Sequence, residues 1–129
     1  MRSLYAGGNI VLKKFKKCSD HVKVQLFKSY CSSFYCCSLW SSYTNSRLKA
    51  MRVAFNNIFR SLFSVSRRDS VTQNLLIRGL SCFNVIRRKQ VFSFYTRVFN
   101  SSNPLIKSLI DSPFFTTSRI FRKWEGILF

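Results

Sequence analysis

Acidic residues are scarce in this chain of 129 residues, which has four Asp and Glu against 22 Lys and Arg. The four acids, Asp20, Asp69, Asp111 and Glu125, lie far apart in the sequence. Two-metal phosphoryl transfer and glycoside hydrolysis both require carboxylates that lie close together. His21 is the only histidine, which disfavours a hydrolase triad or a His-rich metal site. We therefore predict no catalytic residues, no metal ligands, no cofactor and no small-molecule substrate.

Several sequence motifs and segments are also missing. The chain has no G-x-x-x-x-G-K-[ST] or G-x-G-x-x-G loop for phosphates and no G-x-S-x-G nucleophile elbow. Its most apolar stretch, FYCCSLW at 34–40, is too short to span a membrane. The five cysteines are an odd number in a chain without a secretory signal. This favours reduced thiols and an intracellular location, in the nucleus or the cytoplasm.

The cysteines and the N-terminal lysines each allow two interpretations. Cys18 and His21 have a spacing seen in metal sites, but no second pair accompanies them, so we expect the cysteines to be small buried hydrophobic residues. The segment before Asp20 is basic and free of acids, as in a transit peptide. The whole chain is poor in acids, however, so this feature is not specific to the N-terminus.

Positive charge is the dominant feature that is present. The formal net charge is +18 at pH 7, and the basic residues are spread evenly, with eleven before Phe63 and eleven after it. Such a chain attracts polyanions. Nucleic acid is the partner we expect, and an anionic membrane surface is the alternative. A third interpretation is that the chain is part of a larger protein whose acidic complement lies elsewhere.

The hydrophobic pattern predicts an all-α fold, a small bundle of about five or six helices. With only two prolines and four glycines, long segments keep an apolar period near 3.6. The predicted helices cover 4–17, 20 to 39 or 40, 45 or 46 to 63, a short segment ending at 77, 83–99 and 104–111. Gly7 and Gly8 disfavour helix locally, so the first helix is expected to start late or kink there.

One predicted helix carries a candidate binding face. In the third helix, Lys49, Arg52, Asn56 and Arg60 recur at spacings of three, four and four, so they share one side. Their side chains are suited to contact phosphates without reading base sequence. An ordinary solvated helix surface is the alternative. Aromatic side chains that suit base stacking, or else core packing, are Tyr30, Tyr35, Trp40 and Tyr43.

The order of several short motifs adds a resemblance. These are KFKKCS at 14–19, VK at 22–23, LFKSYC at 26–31, FYC at 34–36, LW at 39–40, RVAFNN at 52–57 and FR at 59–60. Farther along are Phe83, Ile86, RK at 88–89, FSF at 92–94, Arg97, SN at 102–103 and LI at 105–106. This order resembles the region that follows the polymerase palm in reverse transcriptases of non-LTR retrotransposons, of the jockey and CR1-like LINE group.

The resemblance implies a division of the chain and a function. Residues 1–63 are similar to the thumb, a helical element that holds the template–primer duplex by its backbone, and 64–111 are similar to the C-terminal extension. Residues 112–129 stay unassigned. Ser66 stands where the family usually has a proline before its arginine. The palm with its aspartates is not in this chain, so the resemblance implies a non-catalytic fragment of an RNA-directed DNA polymerase. The alternative is a structural or interaction fragment that needs the palm.

Overall fold

Helices form all the regular structure in residues 2–34 and 36–129, the part of the chain described by the computed structural model. The helices are α1 (Arg2–Phe15), α2 (Asp20–Cys31), α3 (Asn45–Phe63), α4 (Val71–Ile77), α5 (Phe83–Phe99), α6 (Pro104–Asp111) and α7 (Arg119–Leu128). A short 3-10 turn covers Cys37–Leu39. The described residues contain no strand, and the all-α prediction is confirmed. The described residues form seven α-helices, whereas we expected five or six. The additional helix is α7, which lies in the tail that the sequence left unassigned.

The chain forms two compact units, each made from two stretches of sequence. Unit 1 comprises residues 1–34 and 44–84, and unit 2 comprises 35–43 and 85–129. The compact units therefore do not follow the boundary predicted at residue 63, because residues 64–84 belong to unit 1. The first two residues of α5 also lie in unit 1, where Phe83 packs against Phe34 and Phe55.

In unit 1, α1 continues through its glycine pair without the late start that we expected. A Cβ atom on Gly7 would lie 2.8 Å from the backbone oxygen of Tyr30, and one on Gly8 would lie 2.8 Å from the side chain of Ile58. The glycines thus allow α1 to approach α2 and α3 more closely than any larger residue would. The cost of glycine in a helix is offset by this close packing.

Helix α2 ends at Cys31, so the expectation that it continues to Leu39 or Trp40 was wrong. Serine hydroxyls donate to backbone carbonyls near this end, from Ser29 to Gln25, from Ser32 to Phe27 and from Ser33 to Ser29. Such bonds compete with the continuing helical pattern. The chain then passes through Cys36, whose φ of 51° is left-handed, and enters the 3-10 turn.

Helix α3 supplies most of the core of unit 1. Its predicted apolar face is buried throughout and consists of Leu48, Met51, Phe55, Ile58, Phe59 and Leu62. Phe27 of α2 is fully buried against this face, with ring centroids 5.1 Å from Phe55 and 5.6 Å from Phe59. Thr44 caps the helix by accepting from the backbone N–H of Arg47.

Helix α4 is tied to the rest of unit 1 by Arg78. Its guanidinium lies 4.8 Å from the ring centroid of Phe63 and 3.9 Å from the carboxylate of Asp20. It also donates to the backbone and side-chain oxygens of Asn74. The helix ends as predicted before Gly79, which has a φ of +66°. Arg78 therefore has a structural role that the sequence pattern did not indicate.

Unit 2 has a smaller core, built around four buried residues, Val91, Phe115, Trp124 and Leu128. The predicted face of α5 packs against it through Phe94, Tyr95 and Val98. Asn103 caps α6 as predicted, accepting from the N–H of Leu105 at 2.9 Å. None of the residues of α6 is buried.

Candidate nucleic-acid interface

The four residues predicted to contact nucleic acid all lie on α3, on a side that flanks its buried apolar face. Arg60 lies eleven positions after Lys49, so at 1.5 Å per residue the row is about 16.5 Å long. Lys49 and Arg52 are exposed, whereas Asn56 and Arg60 are half-buried. The four therefore share one side as predicted, but they are not equally accessible.

Lys49 and Arg52 are the accessible cations of the row. Neither makes an ion pair or a side-chain hydrogen bond with another described residue, so both heads are available to a ligand. They lie three residues apart on the helix, which brings them within reach of neighbouring phosphates. These two residues are the strongest part of the predicted site.

Arg60 has a structural task in addition to its charge. Its guanidinium donates to the backbone oxygens of Ser66 and Asp69, and thereby closes the loop between α3 and α4. Ser64 begins this loop with a left-handed φ of 54°, and its backbone N–H donates to the oxygen of Arg60. Replacing Arg60 would therefore change the loop as well as the charge.

The loop that Arg60 closes adds two cations to the site. Arg67 and Arg68 are exposed on it, directly beyond the end of α3. We name the set of Lys49, Arg52, Arg60, Arg67 and Arg68 the basic edge of unit 1. The two consecutive arginines are visible in the sequence, but their position beside the row on α3 depends on the loop that Arg60 closes.

A second basic segment lies at the same end of unit 1. The α3–α4 loop and the α1–α2 turn are brought together because Arg78 reaches both Phe63 and Asp20. Four exposed lysines lie at the end of α1 and in the turn that follows it, Lys13, Lys14, Lys16 and Lys17. The sequence shows these lysines, but only the contacts of Arg78 show that the start of α2, which follows them, lies near the end of α3.

Carboxylates neutralise little of this charge. Unit 1 has fourteen basic and two acidic residues, and hence a net charge of +12. In the described part of the chain, the ion pairs are Lys23 and Arg78 with Asp20, at 3.8 and 3.9 Å. Unit 1 therefore has an electrostatic field suited to polyanions.

Of the aromatic residues proposed for base stacking, Tyr30 lies in unit 1, and Trp40 and Tyr43 lie in unit 2. Trp40 and Tyr43 stack on each other, with ring centroids 5.0 Å apart, and both are half-buried. Tyr30 is half exposed on α2, and Tyr35 lies outside the described residues.

The five cysteines are free, and they differ in burial. Cys31 and Cys37 are buried as expected, whereas Cys36 is exposed. Burial raises the pKa of the Cys31 thiol to about 11. Burial likewise raises the pKa of Cys37 to about 11, although nearby Arg87 acts in the opposite direction. Both thiols are therefore protonated at neutral pH and are poor nucleophiles.

The described residues contain no group of three or more His, Cys, Asp and Glu side chains that could hold a metal ion. None of their helices combines the length and the apolar character needed to cross a membrane.

Comparison of the chain with protein-family models, with curated proteins and with solved structures found no match.

Proposed function

We propose that the chain binds the backbone of duplex or hybrid nucleic acid without sequence preference, through the basic edge of unit 1. The observation that carries this proposal is the row of Lys49, Arg52 and Arg60 on α3, which leads into the arginines of the adjoining loop. A helical row of cations positions a duplex by its phosphates. Electrostatic binding of this kind is strongly dependent on salt.

This activity fits a non-catalytic segment of a reverse-transcriptase-like protein that holds the template–primer duplex. The resemblance of the ordered motifs to the region after the palm supports this origin, as do the all-α fold and the basic edge. The genomic sequence directly upstream of codon 1 tests it. We expect a palm-like reading frame with adjacent aspartates there, in frame or frameshifted, and an unrelated sequence would contradict the origin.

The binding test is the double charge reversal Lys49→Glu with Arg52→Glu, measured by fluorescence anisotropy on an RNA–DNA hybrid. Arg60 is left intact because its loss would also open the α3–α4 loop. We expect at least a tenfold weaker affinity at low salt, and a log–log salt slope that is shallower by about 2, since each phosphate contact contributes about 0.9.

The matched control is Lys107→Glu with Arg122→Glu, two exposed cations of unit 2. It changes the net charge of the chain by the same amount and leaves the basic edge intact. We expect its affinity to remain within about threefold of the unmodified chain. Equal losses in the two double variants would show that net charge alone governs binding, which contradicts the proposed site.

A second candidate function is an interaction module that packs against a palm domain. The observation that favours it is on α6, where Leu105 and Leu109 are 79% and 56% exposed and lie one turn apart. Exposed apolar side chains promote association when their partner is missing. This alternative predicts concentration-dependent self-association of the isolated chain in analytical ultracentrifugation, reduced by Leu105→Gln with Leu109→Gln.

A further inference from the structure

Unit 2 contains a cavity of about 410 Å³ that has no part in the proposed function. One wall is α5, which contributes Lys89, Ser93, Phe94 and Arg97, and the other includes Cys36 and Leu39 at the 3-10 turn. We name it the α5 cavity. Its volume lies within the range of about 300–1,000 Å³ that is typical of small-molecule sites.

Most of the surface that lines the cavity is apolar, but the lining residues include two cations, Lys89 and Arg97, and no carboxylate. Lys89, Ser93 and Arg97 are spaced four residues apart, so they form one row on α5. The Nε of Arg97 donates to the backbone oxygen of Ser93 at 3.3 Å, and its guanidinium lies 5.8 Å from the ring centroid of Phe94. Its two terminal nitrogens remain available as donors. This row therefore suits an anion held near Ser93.

The wall formed by the 3-10 turn is fixed by two contacts from other elements of unit 2. Trp124 of α7 donates from its indole N–H to the backbone oxygen of Ser38 at 2.7 Å. The buried thiol of Cys37 donates to the side-chain oxygen of Gln90 at 2.8 Å. Gln90, which accepts this bond with its side-chain oxygen, is itself one of the residues that line the cavity. The cavity is thus formed before any ligand arrives, which lowers the entropic cost of binding.

Apolar side chains complete the lining. Phe94 and Leu39 lie at the cavity, and Phe94 is held in place by an edge contact with Trp124, at a centroid distance of 5.7 Å. A ligand that satisfies both parts of the lining has an anionic head and a flat or apolar body. A phosphate head matches a lysine and an arginine in particular, since charge-assisted hydrogen bonds to phosphate are strong.

From these contacts we propose that the α5 cavity binds a small organic phosphate of mononucleotide size, with the phosphate at Lys89 and Arg97 and the base against Phe94 and Leu39. The site is separate from the basic edge, because it lies in unit 2 and uses none of the same residues. A free nucleotide and the phosphorylated end of a strand share this chemistry, and the experiment distinguishes them.

Cys36 provides a direct readout, since its exposed thiol lies at the cavity. Alkylation of each cysteine by iodoacetamide is followed by mass spectrometry, with AMP, adenosine, inorganic phosphate or a dinucleotide with a terminal phosphate as the probe. We expect AMP to slow the alkylation of Cys36 at least fivefold and adenosine to have no effect. Cys18 in unit 1 is the internal control, and its rate is expected to stay unchanged.

A charge test that requires no ligand accompanies this protection test. The cations should accelerate the reaction of Cys36 with anionic iodoacetate relative to neutral iodoacetamide. Lys89→Met with Arg97→Met removes both charges but retains unbranched apolar side chains at these positions. We expect this double variant to lose both the iodoacetate preference and the AMP protection. The matched control, Lys107→Met with Arg122→Met, should retain both.

The outcomes separate clearly once circular dichroism has shown that the variants keep their helix content. Protection by AMP extends the proposal to free nucleotides, and protection by the dinucleotide alone assigns the site to strand ends. Protection by neither probe, or protection that survives the loss of Lys89 and Arg97, overturns the proposal. Charge reversal at Lys49 and Arg52 should leave AMP protection unchanged, so failure of this site and failure of the basic edge are distinguishable.

Discussion

The two units share a helical, aromatic and basic composition, yet they differ in how deeply they bury their aromatic residues. In unit 1, Phe27, Phe55, Phe59 and Phe83 are all at most 1% exposed. In unit 2, Phe115 and Trp124 are buried, but Phe94, Tyr95 and Phe121, which pack against them, are only partly buried. Unit 1 also carries twice the net charge, at +12 against +6.

This difference indicates how each unit is stabilised. Unit 1 combines a well-packed phenylalanine core with a strongly charged exterior, so its stability comes from burial and its ligand binding from charge. Unit 2 depends more on hydrogen bonds between distant segments, such as those from Trp124 to Ser38 and from Arg88 to Leu128. We therefore expect core substitutions to cost more in unit 1 than in unit 2.

The largest effect is expected from Phe27→Ala, because this ring is fully buried against three other phenylalanines. We predict a loss of about 3–5 kcal/mol in the free energy of unfolding of unit 1. Phe121 of unit 2 is only half-buried, so Phe121→Ala should lower the free energy of unfolding of unit 2 by less than half as much. Chemical denaturation, with hydrogen exchange resolved for peptides of each unit, measures both. Equal costs would contradict the difference between the units.

The second comparison concerns glycines inside helices. Gly8→Ala would place a methyl group against buried Ile58, and we expect it to destabilise unit 1 by about 1–3 kcal/mol. Gly126→Ala in α7 meets no atom within 4 Å, so it should stabilise unit 2 by about 0.5–1 kcal/mol. If close helix packing explains the presence of Gly8, thermal unfolding should show a lower melting temperature for Gly8→Ala and a higher one for Gly126→Ala. A change in the same direction in both variants would contradict that explanation.

The smallest predicted effect is a loss of stability at alkaline pH, which should be similar in the two units. Burial raises the pKa of Cys31 in unit 1 and of Cys37 in unit 2 from 9.0 to about 11. A folded-state pKa above the unfolded value means that the stabilisation is fully present below pH 9 and is lost as the pH rises towards 11. Each thiol should contribute a loss of about 1 kcal/mol by about pH 10.

Stability measured between neutral pH and about pH 10 tests this prediction, with Cys31→Ala as the comparison. Because this variant lacks the thiol, its stability should decline less steeply with pH than that of the unmodified chain. Parallel pH profiles would show that the buried thiol does not contribute to the alkaline loss.

The helices with regular apolar periods could be predicted from the sequence, and those set by other interactions could not. The bounds of α6 agree with the prediction because its local pattern and its Asn103 cap determine them. The bounds of α5 agree as well. The end of α2 was missed because serine hydroxyls bond to the backbone there. The continuity of α1 depends on Tyr30 and Ile58, which meet Gly7 and Gly8 only in the folded unit.

In the candidate site, too, the features that depend on tertiary contacts could not be predicted from the sequence. The helical spacing predicted that Lys49, Arg52, Asn56 and Arg60 share a side of α3, but it did not reveal that Arg60 closes a loop. That role depends on backbone oxygens six and nine residues away, which no periodicity indicates. The α5 cavity likewise depends on the packing of residues near 36–39 against α5, segments about fifty residues apart in the sequence.

The most direct test of the central claim is the salt dependence of binding by the unmodified chain to two RNA–DNA hybrids of unrelated sequence. If the basic edge holds the phosphate backbone, both hybrids should bind with similar affinity at low salt. Both affinities should fall with a log–log salt slope of about −2 or steeper, as expected when two or more phosphates are contacted. Affinity that is independent of salt, or strong preference for one sequence, would contradict the account.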